Sequence, residues 1–265
     1  MLTEVRKNLK LIGYYFKFNL SAVMEYRASF LLQSFGMIIN NASFIFFWWI
    51  LFENKSSIGG YGFEDVMTLW ALMSSSFGIA HITFGNLNQI TRMIINGEID
   101  TYLLQPKDPL INIISSKTII SAWGDFLYGI VLFVIIRGFH MGSFALFLLF
   151  CITGAIIFSS VMITANALTF YIGNSQGITR LVSEFTITFS IYPEGIFGGA
   201  LRYLLYIGIP IGFLVYVPAY TINSFSISGV LKVLLAAIIW SLIAYGVFTK
   251  GLKRYESGNL IISKM

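Results

Sequence analysis

Read for its apolar and polar positions, the chain divides into a basic amphipathic opening and a series of long apolar runs. In residues 1–27, Leu2, Val5, Leu9, Ile12, Phe16, Leu20 and Val23 recur at spacings of three and four. At 100° per residue they fall within roughly an 80° arc, and Arg6, Lys7, Lys10 and Lys17 occupy the neighbouring face. Such a helix is expected to lie in the membrane interface, its apolar stripe turned into the headgroup boundary. The alternative is a soluble helix packed on another domain, but no soluble domain follows. Residues 1–27 are therefore set apart from a single membrane domain over residues 28–265.

A membrane-spanning helix needs about 20 apolar residues. Candidate spans cover about residues 28–52, 63–85, 113–136, 143–172, 181–197 and 229–250. The first ends in the aromatic cluster Phe46-Phe47-Trp48-Trp49, which suits an interfacial belt or a packing surface. The second opens with Glu64 and Asp65, where the positive end of the helix dipole favours carboxylates. The short hairpin of residues 137–142 predicts that the third and fourth spans are antiparallel neighbours. Residues 181–220 are apolar but interrupted at Pro193-Glu194-Gly195, Pro210 and Pro218. Two complete spans do not fit there. One span followed by a broken re-entrant hairpin over about 198–220 does, because irregular backbone is tolerated at membrane depth where protein or water covers it. The predicted fold is an all-α integral membrane protein of six transmembrane helices, with an interfacial N-terminal helix and a re-entrant hairpin before the sixth span.

Charge placement supports the even count. With six spans, one side holds the N-terminal helix, residues 86–112, residues 173–180 and the C-terminal tail. Of 17 Lys and Arg residues, only Lys55, Arg137, Arg202 and Lys232 then fall on the other side. The positive-inside rule puts both termini in the cytoplasm. A seventh span would move Lys250, Lys253, Arg254 and Lys264 outside. The first uninterrupted apolar core begins near Ala28, too late and too long for a cleaved leader.

Composition then removes whole function classes. The chain is 57% hydrophobic and 11% charged, with a mean hydropathy of +0.79. A soluble domain carries about 25% charged residues, so this chain cannot coat a water-soluble globule. Its net charge of +5 sits at the ends of apolar segments rather than in a patch that would bind nucleic acid. The single cysteine, Cys151, excludes an internal disulfide. His81 and His140 have no partners at ligand spacing, so no metal site is expected. No Ser-His-Asp or paired-carboxylate arrangement is legible, which argues against an intramembrane enzyme. The chain also lacks G-x-x-x-x-G-K-[ST], so it has no P-loop for a nucleotide.

Two regions remain as candidates for function. In the loop of residues 86–112, Ile90, Met93 and Ile94 sit at helical spacing beside Arg92. The run NGEIDTYLLQPKDPL follows, and reads as a short helix, a glycine break, a second short helix and a stop at two prolines. Such an element is suited either to docking a soluble partner or to lying against the membrane. Asp125 is expected near the middle of the third span, where a charge costs about 2.5–3.5 kcal/mol on the gentlest scale. Asp125 either belongs to a substrate route or subunit contact, or makes a structural bond, with Lys117 as a candidate partner. Pro193 and Glu194, at the chain break, are further substrate-pathway candidates, and Glu184 is a weaker one. Asn40, Asn41 and Asn166 are expected to be interhelical hydrogen-bond donors.

The central loop closely resembles the G-E-[LI]-D-x-x-L-L-x-P-x-D-P-L signature of ABC-2-type permeases, in the branch once classed as a domain of unknown function. EYRASFLLQ, residues 25–33, resembles that branch's Tyr-Arg-x-x-Phe approach to its first span. Residues 192–219 resemble its Tyr-Pro…Ile-Pro…Tyr-Pro-Ala block, except that Glu194 follows Pro193 where an apolar residue is usual. The resemblance implies an ATP-driven exporter in which this chain is the permease and binds no cofactor. ATP and Mg would sit on two copies of a separate ABC ATP-binding subunit. It implies a second permease, a different homologous chain, in a bacterial cell membrane. The loop would act as the coupling element through Arg92, Gly97, Glu98, Asp100, Leu103, Leu104, Pro106, Asp108 and Pro109. An ion-coupled secondary transporter using Asp125 is the competing reading, although no internal repeat supports it. The exported substrate is not legible: a drug, peptide, lipid or polysaccharide precursor could each use an aromatic-lined cavity.

Overall fold

The computed structural model describes residues 2–256, and every regular element among them is helical. Lys264 and the rest of the polar tail lie outside the described residues. Helix α1 (Leu2–Glu25) leads into α2 (Arg27–Glu53) through Tyr26, the one residue between them. After α3 (Phe63–Thr83) comes a compact element containing α4 (Ile90–Ile95), α5 (Asp100–Leu103) and α6 (Pro109–Ser115). Then follow α7 (Ala122–Arg137), α8 (Met141–Ala167), its short continuation α9 (Thr169–Ile172), and α10 (Gln176–Ser190). Two short helices, α11 (Gly199–Tyr203) and α12 (Val217–Asn223), flank widened π turns, and α13 (Ile227–Leu252) ends the fold.

Four helical stretches are long and apolar enough to cross a membrane: Arg27–Glu53, Phe63–Thr83, Met141–Ile172 and Ile227–Leu252. A fifth candidate is the pair Gly199–Gly208 and Gly212–Asn223, bent by 76° at Pro210 and its neighbours. That geometry fits one broken span or a re-entrant loop. Helices α7 and α10 have 16 and 15 residues. At 1.5 Å per residue they reach about 24 and 22 Å, short of a hydrocarbon core about 30 Å thick.

Two expected helices have different limits. The third span, expected over 113–136, is not one helix: α6 ends at Ser115 and α7 starts at Ala122. The cause lies at the end of α3, whose last backbone groups need partners. Lys117 O accepts from Gly85 N at 2.9 Å, and Ile119 N donates to His81 O at 3.1 Å, so this stretch bonds to α3 instead of to itself. The helix expected over 181–197 begins earlier, at Gln176, and ends at Ser190, before Pro193.

The core is organised around α3. Of its most apolar window 83% is buried, against 11% for α2. Small residues let α7 and α8 come close to it, the usual solution where lipid supplies no hydrophobic drive between helices. A Cβ on Gly78 would stand 2.6 Å from the Phe126 backbone N, and one on Gly154 2.3 Å from Ser76 Oγ. Ser74 Oγ donates to Asp125 O at 2.8 Å and Ser75 Oγ to Phe126 O at 3.3 Å, so the seam is hydrogen-bonded as well as close.

Residues 117–137 run antiparallel to α3 along its whole length, from the Gly85 contact to Arg137. There the guanidinium donates to Asp65 Oδ1 and Thr68 Oγ1, both at 2.9 Å. Asn223 Nδ2 donates to the same Asp65 oxygen at 2.8 Å, which ties α12 to this end. Gly195 packs on the loop before α3 so closely that a Cβ would stand 1.9 Å from Gly59 O.

Gly78→Val should therefore force α3 and α7 apart, since the obstructing atoms are backbone. We expect a loss of roughly 2–3 kcal/mol or more, read as a lower midpoint of thermal unfolding in detergent. Gly142→Ala, at an open position, should leave that midpoint unchanged.

Candidate functional site

The candidate residues separate into three levels along the bundle. The coupling-loop residues gather at the end of α3 that Thr83 marks, Asp125 lies at mid-depth, and Pro193 and Glu194 lie at the opposite end. Pro106 and Asp108 line one cavity and Asp125 another.

At the first level the loop is folded and anchored. Ile90, Met93, Ile94 and Ile99 are buried, and Arg92, Glu98, Leu103 and Leu104 face outward. Leu104 is 88% exposed, the most exposed of the large apolar side chains in the element. Gly97 makes the turn between α4 and α5 with φ +73°, a conformation that favours glycine. Glu98 accepts from Asn96 Nδ2 at 3.0 Å and stands 3.9 Å from Arg92 Nε. Pro106 lies in the turn after α5. Pro109 was expected to end helical structure, yet it opens α6. The reason is Asp108, whose Oδ1 accepts from Ile111 N at 3.0 Å and caps the new helix, where proline at the first position is well tolerated. Asp108 Oδ2 accepts from Tyr245 OH at 2.9 Å, so this carboxylate ties the loop to α13.

Helix α1 packs against the same element. Tyr15 OH donates to Asn112 Oδ1 at 2.6 Å, Asn19 Nδ2 donates to Ser115 O at 3.2 Å, and Lys107 sits 5.6 Å above the Tyr15 ring. Val5 and Leu9 on α1 remain exposed.

Beneath the loop lies a buried hydroxyl and amide network that the sequence pattern did not reveal, apart from Asn166. Asn166 Oδ1 accepts from Thr91 N at 3.0 Å and from Thr91 Oγ1 at 2.8 Å. Its Nδ2 donates to Leu87 O at 3.0 Å and Met162 O at 2.8 Å. Thr169 Oγ1 donates to Thr91 Oγ1 at 3.0 Å and lies 2.7 Å from Ser175 Oγ, whose hydroxyl reaches back to Ala165 O. Thus α4 is bonded to α8 and to the turn before α10. The available signal was local, a Thr in an otherwise apolar Ile-Thr-Arg-Met-Ile run.

At mid-depth, level with Ser74 of α3, Asp125 is in the first turn of α7 rather than the middle of a helix, because the helix starts late. Its carboxylate therefore lies at the positive end of the α7 dipole. Asn41 Nδ2 donates to Oδ1 at 2.6 Å, so the side-chain partner is Asn41 on α2, not Lys117. A cavity of about 190 Å³ adjoins it between α2, α3, α7 and α10. His81 is buried nearby with both ring nitrogens engaged: Nδ1 lies 3.1 Å from Phe77 O and Nε2 3.2 Å from Asn88 Nδ2, and the ring lies tilted by 34° against Phe77. Among the described residues no cluster of His, Cys, Asp or Glu could hold a metal ion.

At the far end, Glu194 accepts from Arg202 Nε at 2.8 Å. Tyr61 stands near this pair, and its hydroxyl is pushed up to about 12, first by burial and then by the charge of Glu194. Glu184 is paired with Arg180 one turn away on exposed α10 surface.

The sequence pattern of ABC-2 family transporter proteins matches residues 37–258, which includes all three levels. No curated protein and no solved structure matches the chain. With most of its length matched and its apolar helices laid out as described, the chain belongs to the ABC-2 family of transporter proteins, as a multi-pass membrane component of transport.

Proposed function

We propose that this chain is the transmembrane permease subunit of an ATP-driven ABC exporter in a bacterial cell membrane. Residues 86–112 dock on one of two copies of an ABC ATP-binding subunit, which carry ATP and Mg, and a second, different but homologous permease chain completes the pathway. The observation that carries this reading is the loop itself, where apolar residues anchor one face and Arg92, Glu98, Leu103 and Leu104 are left on the other. Apolar side chains exposed beside charged ones match the anatomy of a docking surface, an apolar centre with a polar rim.

Coupling follows from the connections below the loop. Movement of the ATP-binding subunits pushes α4, and the Thr91–Asn166 bonds carry the push into α8. Because α8 and α7 are both seated on α3, the bundle responds as packed bodies and tilts between inward-open and outward-open states.

Six crossings, with both termini in the cytoplasm, are part of the proposal. The non-helical residues 117–119 and the turn that follows them add reach to α7, and residues 117–137 accompany α3 from end to end. The ion-coupled alternative would use Asp125 as the proton carrier, and proton-driven uptake by vesicles without any ATPase would decide in its favour.

Replacing Glu98 and Asp100 together by alanine should leave the protein in the membrane and sharply reduce copurification of the ATP-binding subunit or its turnover, as measured by pull-down and phosphate release. Wild-type transport in that double variant would refute the docking assignment. Asn166→Leu should act differently. It strands two backbone groups at roughly 1–3 kcal/mol each, so docking should persist while transport per ATP hydrolysed falls.

A further inference from the structure

Asp125 presents a carboxylate that the fold satisfies only in part. Oδ1 is held by Asn41 at 2.6 Å, while no hydrogen bond from a described residue reaches Oδ2, and the residue as a whole is 5% exposed. The adjoining cavity of about 190 Å³ has Met37, Asn41, Trp70, Phe77, Asp125 and Ile191 in its wall. No lysine, arginine or histidine lines it. The α7 dipole offsets part of the cost of a charge there, but no described residue lining the cavity carries a formal positive charge to pair with it. The wall thus combines one carboxylate, two aromatic rings and flexible thioethers.

We infer that this cavity binds a small organic monocation, an ammonium group with an apolar body. Its charge rests against Asp125 Oδ2, and its body lies against Trp70 and Phe77, whose ring faces attract cations most when water is excluded. Met37 and Met73 give the wall a polarisable surface that adapts to shape. Other ligand classes fit the same wall poorly. A hard metal ion needs about six oxygens, whereas the only other side-chain oxygens that described residues bring to the cavity wall are those of Asn41 and Ser74, Ser74 Oγ being engaged with the Asp125 backbone carbonyl. A phosphate or carboxylate would meet Asp125 as a like charge. The volume admits a small molecule or the head of a longer one. That the cation is cargo rests on the transport reading above; that it binds does not.

The test uses the full-length chain in maltoside micelles, with any ATP-binding subunit that copurifies, and radiolabelled tetraethylammonium at neutral pH as the probe. Saturable binding is expected, and tert-butanol, a neutral molecule, should not compete. Asp125→Asn should weaken binding by about 30-fold or more, as for loss of a desolvated charge partner, while Asp125→Glu retains it. Met37→Trp fills the cavity without touching the carboxylate and should abolish binding; it decides the matter if Asp125→Asn does not fold. Absence of saturable binding to the wild type overturns the inference, and so does binding that neither Asp125→Asn nor Met37→Trp alters. If binding holds but vesicles show no ATP-driven efflux of tetraethylammonium, the site stands and its assignment to cargo falls.

Discussion

The close seam between α3 and its neighbours is the constraint on which the rest of the structure depends. Glycine and serine at Gly78, Ser74, Ser75 and Ser76 let α7 and α8 approach α3 to backbone contact. In a bilayer, apolar side chains gain little by leaving lipid for protein, so close approach and hydrogen bonds between helices must hold the bundle. The seam accounts for Asp125 as well. Its backbone carbonyl is a seam acceptor for Ser74, which brings its carboxylate to Asn41 and to the edge of the mid-depth cavity.

The three levels of the bundle differ in how their polar groups are satisfied. The loop end uses caps and a neutral hydroxyl network, which hold geometry without burying charge. The far end uses ion pairs, Arg137 with Asp65 and Arg202 with Glu194, where water is near. At mid-depth, Asp125 Oδ2 has no hydrogen-bond donor among the described residues. The bundle is thus braced at both ends by different kinds of bond, neutral at one and ionic at the other.

Much of this was legible in the sequence, for physical reasons. Long apolar runs have few alternatives to membrane helices, and so the stretches from Arg27, Phe63, Met141 and Ile227 agreed with expectation within two residues. Gly97 was readable as a break because only glycine takes its conformation readily. The late start of α7 was not readable: it results from Gly85 and His81 seeking partners on a segment more than 30 residues away in sequence. Pro109 misled because proline is read equally as a stop or a start, and Asp108 decides between them by capping. The partner of Asp125 was missed for a related reason. Helical spacing suggested Lys117, but spacing has no meaning across a stretch that is not helical. The Thr91–Asn166 network left almost no trace, since isolated hydroxyls in apolar runs are common.

The polar stripe on α3 has a consequence for biosynthesis. Of the four long apolar stretches, α3 has the lowest mean hydropathy, 1.3, against 2.5 for the stretch from Met141. Ser74, Ser75, Ser76 and His81, all buried in the finished bundle, would face hydrocarbon if α3 left the translocon alone. Its proper neighbours, α7 and α8, are synthesised later. Helix α3 must therefore wait beside the translocon or an insertase, with α1 and α2 already made, until the helices that shelter its hydroxyls emerge.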